Sequence, residues 1–460
     1  MSTLGCPECQ ILQRRIADLE HQVEELTRQL DEARRAGKRQ AAPFRRGDPK
    51  VNPRRPGRKS GPAHGRHGHR PPPPPDQIQE YHEAPLPDAC PGCGGGLVET
   101  EVVHQYQTEI PRQPILRQFN IHVGQCQDCG QRVQGRHPLQ TSQALGAAAS
   151  QLGPDAQAAM ILLNKQGGLS HGKVARCLKV LYGIEVTRGA SAQVNRRAAD
   201  RLQPAAAEVR ADLCQSEQLS VDETGWRIGG WPAWLHAWVG DRSTGYVIDP
   251  HRSADVLERL IGRAWDGVLI HDGWASYDRF TEAVHQQCVA HVLRRAEGLL
   301  ETATRGGVHF PRQVIRLFTE AVHRRNEYLR GRCSAAVVEA AREDFEERLL
   351  RLVERERVVP AYEALAQHLW EHFESWFTFL TNPQVEATNW RAEQALRPAV
   401  VNRKVWGGNR TPAGAEAQGV LLSVLETCRR QARSALDFVS ETLRSFGNRL
   451  LARPLLLATR

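Results

Sequence analysis

Three acidic residues stand where a chain would place ligands for a hard divalent cation. Asp222 lies in Leu219-Ser-Val-Asp-Glu-Thr-Gly-Trp226, where Leu219 and Val221 alternate with polar neighbours as in a half-buried strand. This reading expects Asp222 near the strand end, with Thr224-Gly225 turning the chain away. Asp272 follows a second apolar run, Gly267-Val-Leu-Ile270, within His271-Asp-Gly-Trp274. Glu393 belongs to Asn389-Trp-Arg-Ala-Glu-Gln-Ala-Leu-Arg397, which reads as a helix. Two acids at strand ends and one on a later helix can converge on two Mg²⁺ ions, which take oxygen ligands and clamp the attacking and leaving oxygens of phosphoryl transfer. Taken singly, each acid has a plainer explanation. Strand-end acids are commonly turn or cap residues, and Glu393 has the spacing of a surface helix pair with Arg397. The chemistry rests on the three together.

A second set of residues has metal-ligand spacing. Cys90-Pro-Gly-Cys93 and Cys126-Gln-Asp-Cys129 are separated by 32 residues, and each pair is followed by glycine, as in a knuckle. Strand-like alternation at Phe119, Ile121 and Val123 lies between them. Four thiolates from two such knuckles suit one tetrahedral structural Zn²⁺ in a zinc ribbon over 85–135. Cys6 and Cys9 form a third pair, which two chains together could turn into a further zinc site; free terminal thiols are the alternative. Cys288-Val-Ala-His291 offers two ligand types one helical turn apart, which by themselves do not make a site.

The elements that must position these groups follow from periodicity. Leu12, Ile16, Leu19, Val23, Leu26, Leu30 and Ala33 alternate spacings of four and three, so 10–36 reads as a coiled coil and the chain as a homodimer or higher oligomer. Residues 37–75 read as a basic, Pro-rich linker that cannot bury a core and is expected to be disordered or extended. From 139 to 213 the pattern is helical. A Ser-capped helix, a Gly-containing turn and a Thr-capped helix carrying Arg188, Arg196 and Arg197 describe a helix-turn-helix. From 217 to 410 the Asp222 strand, two meander strands, a helix at Ala254–Arg263 and the Asp272 strand follow the order of an RNase H-like sheet. An all-α insertion at about 279–380, without strands, separates Asp272 from Glu393. C-terminal helices fill 411–450. The fold class is therefore multidomain α/β.

Composition agrees. The 460 residues carry a net charge of +9, and 37–75 alone holds eleven Lys or Arg against the single acid Asp48, so the basic charge is concentrated there. Such a segment fits a polyanion, and Arg54, Arg55, Arg58 and Lys59 are its natural DNA contacts, with Arg403 and Lys404 placed beside the third acid. The first residues lack a signal pattern and no run approaches about 18 apolar residues, so a soluble cytoplasmic protein is expected, without a membrane partner.

With these residues in place, the chain resembles transposases of the insertion-sequence-sixty-six family over nearly its whole length. The resemblance rests on Asp222-Glu-Thr-Gly-Trp226, His271-Asp-Gly-Trp274, Cys288-x-x-His291 and Ala392-Glu-x-Ala-Leu-Arg397 followed by Arg403-Lys404. Trp390 departs from the pattern, which has a second Asn there. The resemblance implies a DDE catalytic domain in which Asp222, Asp272 and Glu393 hold two Mg²⁺ ions. It also implies terminal inverted repeats and target DNA as double-stranded substrates, with accessory transposition proteins as partners. Two rivals stay open at this stage: an RNase H-like nuclease or resolvase that cuts without joining, and a non-catalytic DNA-binding regulator.

Overall fold

The computed structural model describes residues 71–445 apart from 109, 111–112, 142–150, 302, 304–306 and 356, together with Arg15, Ile16, Leu19, Gln22, Val23, Leu26 and Leu455. The chain divides into two units, Met1–Pro111 and Arg112–Arg460.

In the first unit Ile16, Leu19, Val23 and Leu26 are helical, and each is more than half exposed. The rest of the predicted heptad lies outside the described residues, as do Cys6, Cys9, Arg54, Arg55, Arg58 and Lys59. A short 3₁₀ turn, Pro75–Gln77, ends the proline run. The Cys90 knuckle is built by its backbone: Cys90 N–H donates to Gly95 O at 2.9 Å and Gly94 N–H to Cys90 O at 2.8 Å.

The second unit opens with a matching knuckle. Cys126 N–H donates to Gln131 O at 2.9 Å and Gly130 N–H to Cys126 O at 3.0 Å, between antiparallel strands β1 (Val123–Gln125) and β2 (Arg132–Gln134). Gly94 and Gly130 both take positive φ, 74° and 69°, the left-handed corner that a side chain disfavours. The expected strand through Phe119 and Ile121 is not formed; pairing begins only at Val123. Phe119 instead meets the His137 ring at 5.4 Å.

Three helices follow: α1 (Pro154–Lys165), α2 (His171–Tyr182) and α3 (Arg188–Cys214). Their starts are local. Ser170 Oγ accepts from Lys173 N–H, and Thr187 Oγ1 accepts from Ala190 N–H at 3.0 Å. Val174 and Leu178 of α2, and Val194, Ala198 and Leu202 of α3, bury one face of each helix in a shared core.

That core continues under a five-stranded mixed sheet. Strands β3 (Gln218–Ile228), β4 (Trp231–Val239) and β5 (Thr244–Asp249) form an antiparallel meander. Helix α4 (Ala254–Ile261) then leads to β6 (Val268–His271), parallel to β3, and β7 (Val284–Gln287) pairs parallel outside it. The order is β5-β4-β3-β6-β7. Two expectations are corrected here. Strand β3 runs through Thr224-Gly225, which pair with Leu235 and Trp234, and the turn falls at Gly229-Gly230. The segment read as wholly helical contains β7, whose four residues find a partner in β6 that no local pattern announces.

Helices α5 (Val289–Glu301), α6 (His309–Leu329), α7 (Ala335–Val353), α8 (Pro360–Glu371) and the single turn α9 (Thr378–Thr381) make a second core. Phe318 sits at its centre, 5.2 Å from the Trp376 ring and 5.6 Å from Phe377. Burial of each such ring stabilises by roughly 1.5–3 kcal/mol. Helix α10 (Trp390–Trp406) covers the remaining sheet face through Ala392, Ala395, Leu396 and Ala399, packed with Leu235, Ala237 and Trp226. Helices α11 (Pro412–Arg430) and α12 (Ala435–Arg444) pack on the α3 side. No helix among the described residues is long and apolar enough to cross a membrane.

Candidate active site

Pleating decides which of two adjacent acids serves the site. Asp222 pairs with Ala237, and residues opposite each other in an antiparallel ladder share a face. Ala237 lies in the core covered by α10, so Asp222 faces α10 as well. Glu223 points to the other face. There it is buried, accepting from Arg252 Nε at 2.8 Å and from Tyr277 OH at 2.6 Å. Arg252 is itself held over the rings of Trp234 and Trp274, at 4.9 and 4.3 Å, so those tryptophans pack an ion pair.

The parallel ladder between β3 and β6 ends at Ser220 and Ile270. Two residues beyond that last pair come Asp222, still within β3, and Asp272, in the turn that follows β6. Asp272 Oδ1 accepts from Trp274 N–H at 3.0 Å, while Gly273 N–H donates to His271 Nδ1 at 3.1 Å, which fixes the turn. Gly273 takes φ 86°.

Glu393 comes from the first turn of α10. Asn389, fully buried immediately before the helix, donates from Nδ2 to Val221 O at 2.6 Å, one residue from Asp222. Its own N–H donates to Cys288 Sγ at 3.1 Å. Cys288 is thus a buried anchor for the start of α10, and burial pushes its thiol pKa up. Glu393 Oε1 accepts from Arg294 at 2.7 Å and lies 3.7 Å from His291 Nε2, rather than pairing with Arg397. Asn389, Arg294 and Tyr277 were not singled out from sequence; only the tertiary contacts give them a role.

The electrostatics of the three acids are coupled. Burial, and then the charges of Glu223 and Asp272, raise the Asp222 pKa to about 7, with Glu393 adding to the same direction. The three carboxylates do not gather within 4.8 Å of one another, and Arg294 draws Glu393 aside. The donor set nonetheless fits Mg²⁺: it is all carboxylate, and half-buried Asp222 has no cationic partner among the described residues, which a divalent ion would provide.

The predicted basic residues divide. Arg403 reaches Thr224 Oγ1 at 3.4 Å from the last turn of α10, and Lys404 beside it is exposed. Arg188 and Arg196 line a cavity of about 980 Å³ with Lys173, Arg176 and Arg410. Arg197 is exposed and does not line that cavity. Each knuckle presents backbone N–H groups to a sulfur, lowering the pKa of Cys90 through Gly92 and of Cys126 through Cys129.

Comparison with known proteins covers the region just described. The chain is similar to an uncharacterized protein, y4qI, of Sinorhizobium fredii (strain NBRC 101917 / NGR234), with 26% identity over 299 residues, 57% of this chain and 53% of that protein. The chain thus spans about half the length of this curated relative. Residues 149–417, from before α1 into α11, match the family described as Transposase IS66 family. The span includes the sheet, the inserted helices and α10 with all three acids. The chain belongs to the IS66 transposase family.

Proposed function

We propose that the protein is a DDE DNA transposase that cuts the terminal inverted repeats of an insertion sequence and joins the exposed 3′ end to target DNA. The reading is carried by one observation: Asp222 and Asp272 each follow the end of the β3–β6 ladder by two residues, and Asp222 faces α10, whose first turn carries Glu393. The strand order, a three-strand meander followed by a helix and two parallel strands, supports an RNase H-like catalytic domain. Two Mg²⁺ ions held by these carboxylates would activate the attacking oxygen and neutralise the leaving one. Asp222, once ionised, and Asp272 supply the fixed ligands; Glu393 completes the set by leaving Arg294. Arg403 and Lys404, near Thr224, would hold the phosphate backbone in register, contacts that position DNA without reading its sequence.

The remaining modules supply DNA and partner contacts. Arg188 and Arg196, on the Thr187-capped helix, suit a helix-turn-helix contact with duplex DNA. Cys90, Cys93, Cys126 and Cys129 are proposed to hold one structural Zn²⁺, on the strength of their spacing and the two like knuckles. The exposed Ile16, Leu19, Val23 and Leu26 suit a coiled coil between two chains, which would link two DNA ends and raise their joint affinity. Accessory transposition proteins are expected partners.

The test is an insertion assay. The gene with its native flanks is placed on a donor plasmid, and new insertions are scored beside an Asp272→Asn control. Insertions that vanish in the control establish the reading and give the end sequences. Should no insertions arise, Mg²⁺-dependent cleavage of flank DNA by purified protein decides. Cutting without joining would identify a nuclease, and binding without cutting a regulator.

A further inference from the structure

A second group of metal-ligand side chains lies outside the acids, on the inserted helices. His368, Glu371 and His372 each offer one ligand atom, and these atoms all lie within 4.8 Å of one another; no other such trio of His, Cys, Asp and Glu occurs among the described residues. The spacing explains it. His368 lies in the last turn of α8 and His372 is the residue that caps it, and their rings sit 4.9 Å apart. Glu371 is exposed, and one of its oxygens accepts from Gln367 at 3.0 Å, which leaves the carboxylate free to turn inward.

The surroundings point the same way. Gln287, at the end of β7, is 1% exposed, and its amide contacts His372 Nδ1 at 3.2 Å. Its Oε1 is buried with no hydrogen-bond partner. A metal-ligating histidine hands its second ring nitrogen to such an outer acceptor, so turning the amide end for end would let Oε1 accept from His372 N–H. Gly273 closes the gap from the sheet side: a Cβ there would lie 2.8 Å from Gln287 Oε1 and 2.9 Å from His368 Cε1. The positive charge of Arg295 is felt at His368.

We infer that His368, Glu371 and His372 form a Zn²⁺ site at the end of α8, beside the turn that presents Asp272. Two imidazoles and a carboxylate are a borderline-soft set, suited to zinc rather than Mg²⁺. Closing from 4.8 Å to zinc-bound spacing needs side-chain movements of about an ångström. The site is separate from the four cysteines and independent of the DNA-cleaving reading, since it is defined by binding alone.

The experiment is a Co²⁺ titration of the full-length chain, with zinc content measured in parallel. Cobalt bound by thiolates gives a sulfur charge-transfer band in the near ultraviolet; cobalt in this site gives visible bands without it. The natural chain should show both classes. Glu371→Gln and His372→Asn should each remove or weaken the band set that lacks sulfur, while the thiolate band stays. Gln287→Leu should weaken the same site roughly 10- to 100-fold. Because Glu371 is exposed, Glu371→Gln keeps the fold and decides the matter if His372→Asn does not fold. Visible bands and cobalt stoichiometry unchanged in Glu371→Gln would overturn the site.

Discussion

The acids and the histidine cluster gather ligands in opposite ways. Asp222, Asp272 and Glu393 come from the middle of a strand, the turn after another strand and the first turn of a helix. His368, Glu371 and His372 fall within five consecutive residues. Nearness in sequence, at the last turn and cap of α8, brings the second group together, whereas the first exists only when β6 has paired with β3 and Asn389 has tied α10 to Val221. A contiguous cluster should tolerate loosened tertiary packing. A dispersed one is as accurate as the packing around it, and its members can be adjusted singly, as Glu393 is by Arg294.

The largest expected effect separates the two groups by activity. Asp222→Asn or Glu393→Gln should lower Mg²⁺-dependent strand cleavage by at least about 10³-fold. Cobalt binding at the histidine cluster should not change. Cleavage that survives either replacement would remove that acid from the site.

Next comes the packing that holds α10. Lys165 is buried, its carbonyl accepting from Asn402 of α10 at 2.7 Å and its ammonium reaching Gln418 of α11. Burial pulls its pKa from 10.5 down to about 7. Between those values the unfolded chain holds a proton that the folded chain lacks, so the natural protein gains stability as pH rises through this window. The stability of Lys165→Met relative to the natural chain should therefore fall, on the order of 5 kcal/mol in total, between about pH 7 and 10.5. Urea denaturation at several pH values measures it, and a flat difference would mean that the ammonium is not desolvated.

Asn389→Ala tests the tie itself. Leaving Val221 O without its buried partner should cost about 1–3 kcal/mol. Misplacing Glu393 should slow cleavage by up to ~10²-fold. Thermal unfolding together with cleavage rates would show whether the two losses occur together. The smallest effect belongs to the contiguous group: with chelator present, Glu371→Gln should change stability by no more than about 0.5 kcal/mol. A larger loss would show that this cluster, too, depends on its surroundings.

The same contrast governs what could be read from sequence. Caps at Ser170 and Thr187 are short-range hydrogen bonds, and both are legible in the residues that make them. The alternation around Asp222 and the apolar run before Asp272 announced strands for the same reason. Thr224-Gly225 looked like a turn because glycine favours one locally, yet nine cross-strand pairs with β4 carry the strand past it to Gly229-Gly230. Strand β7, with His285, Gln286 and Gln287, has no strand-like alternation and exists because β6 offers an edge. Nothing near Glu393 in sequence indicates Arg294, which arrives from α5. The His-x-x-Glu-His spacing was present in plain view, but within a helical stretch it reads as ordinary surface until Gln287 and Gly273 are seen to meet it.

Helix α10 has Glu393 in its first turn and Arg403 in its last. Its 17 residues make a rod about 25 Å long. Rotation of that rod about its axis carries an acid at one end and a cation at the other through the same angle. In the proposed reading, a load taken by DNA at Arg403 would reach Glu393 through this one helix, whose near end Asn389 ties to Val221.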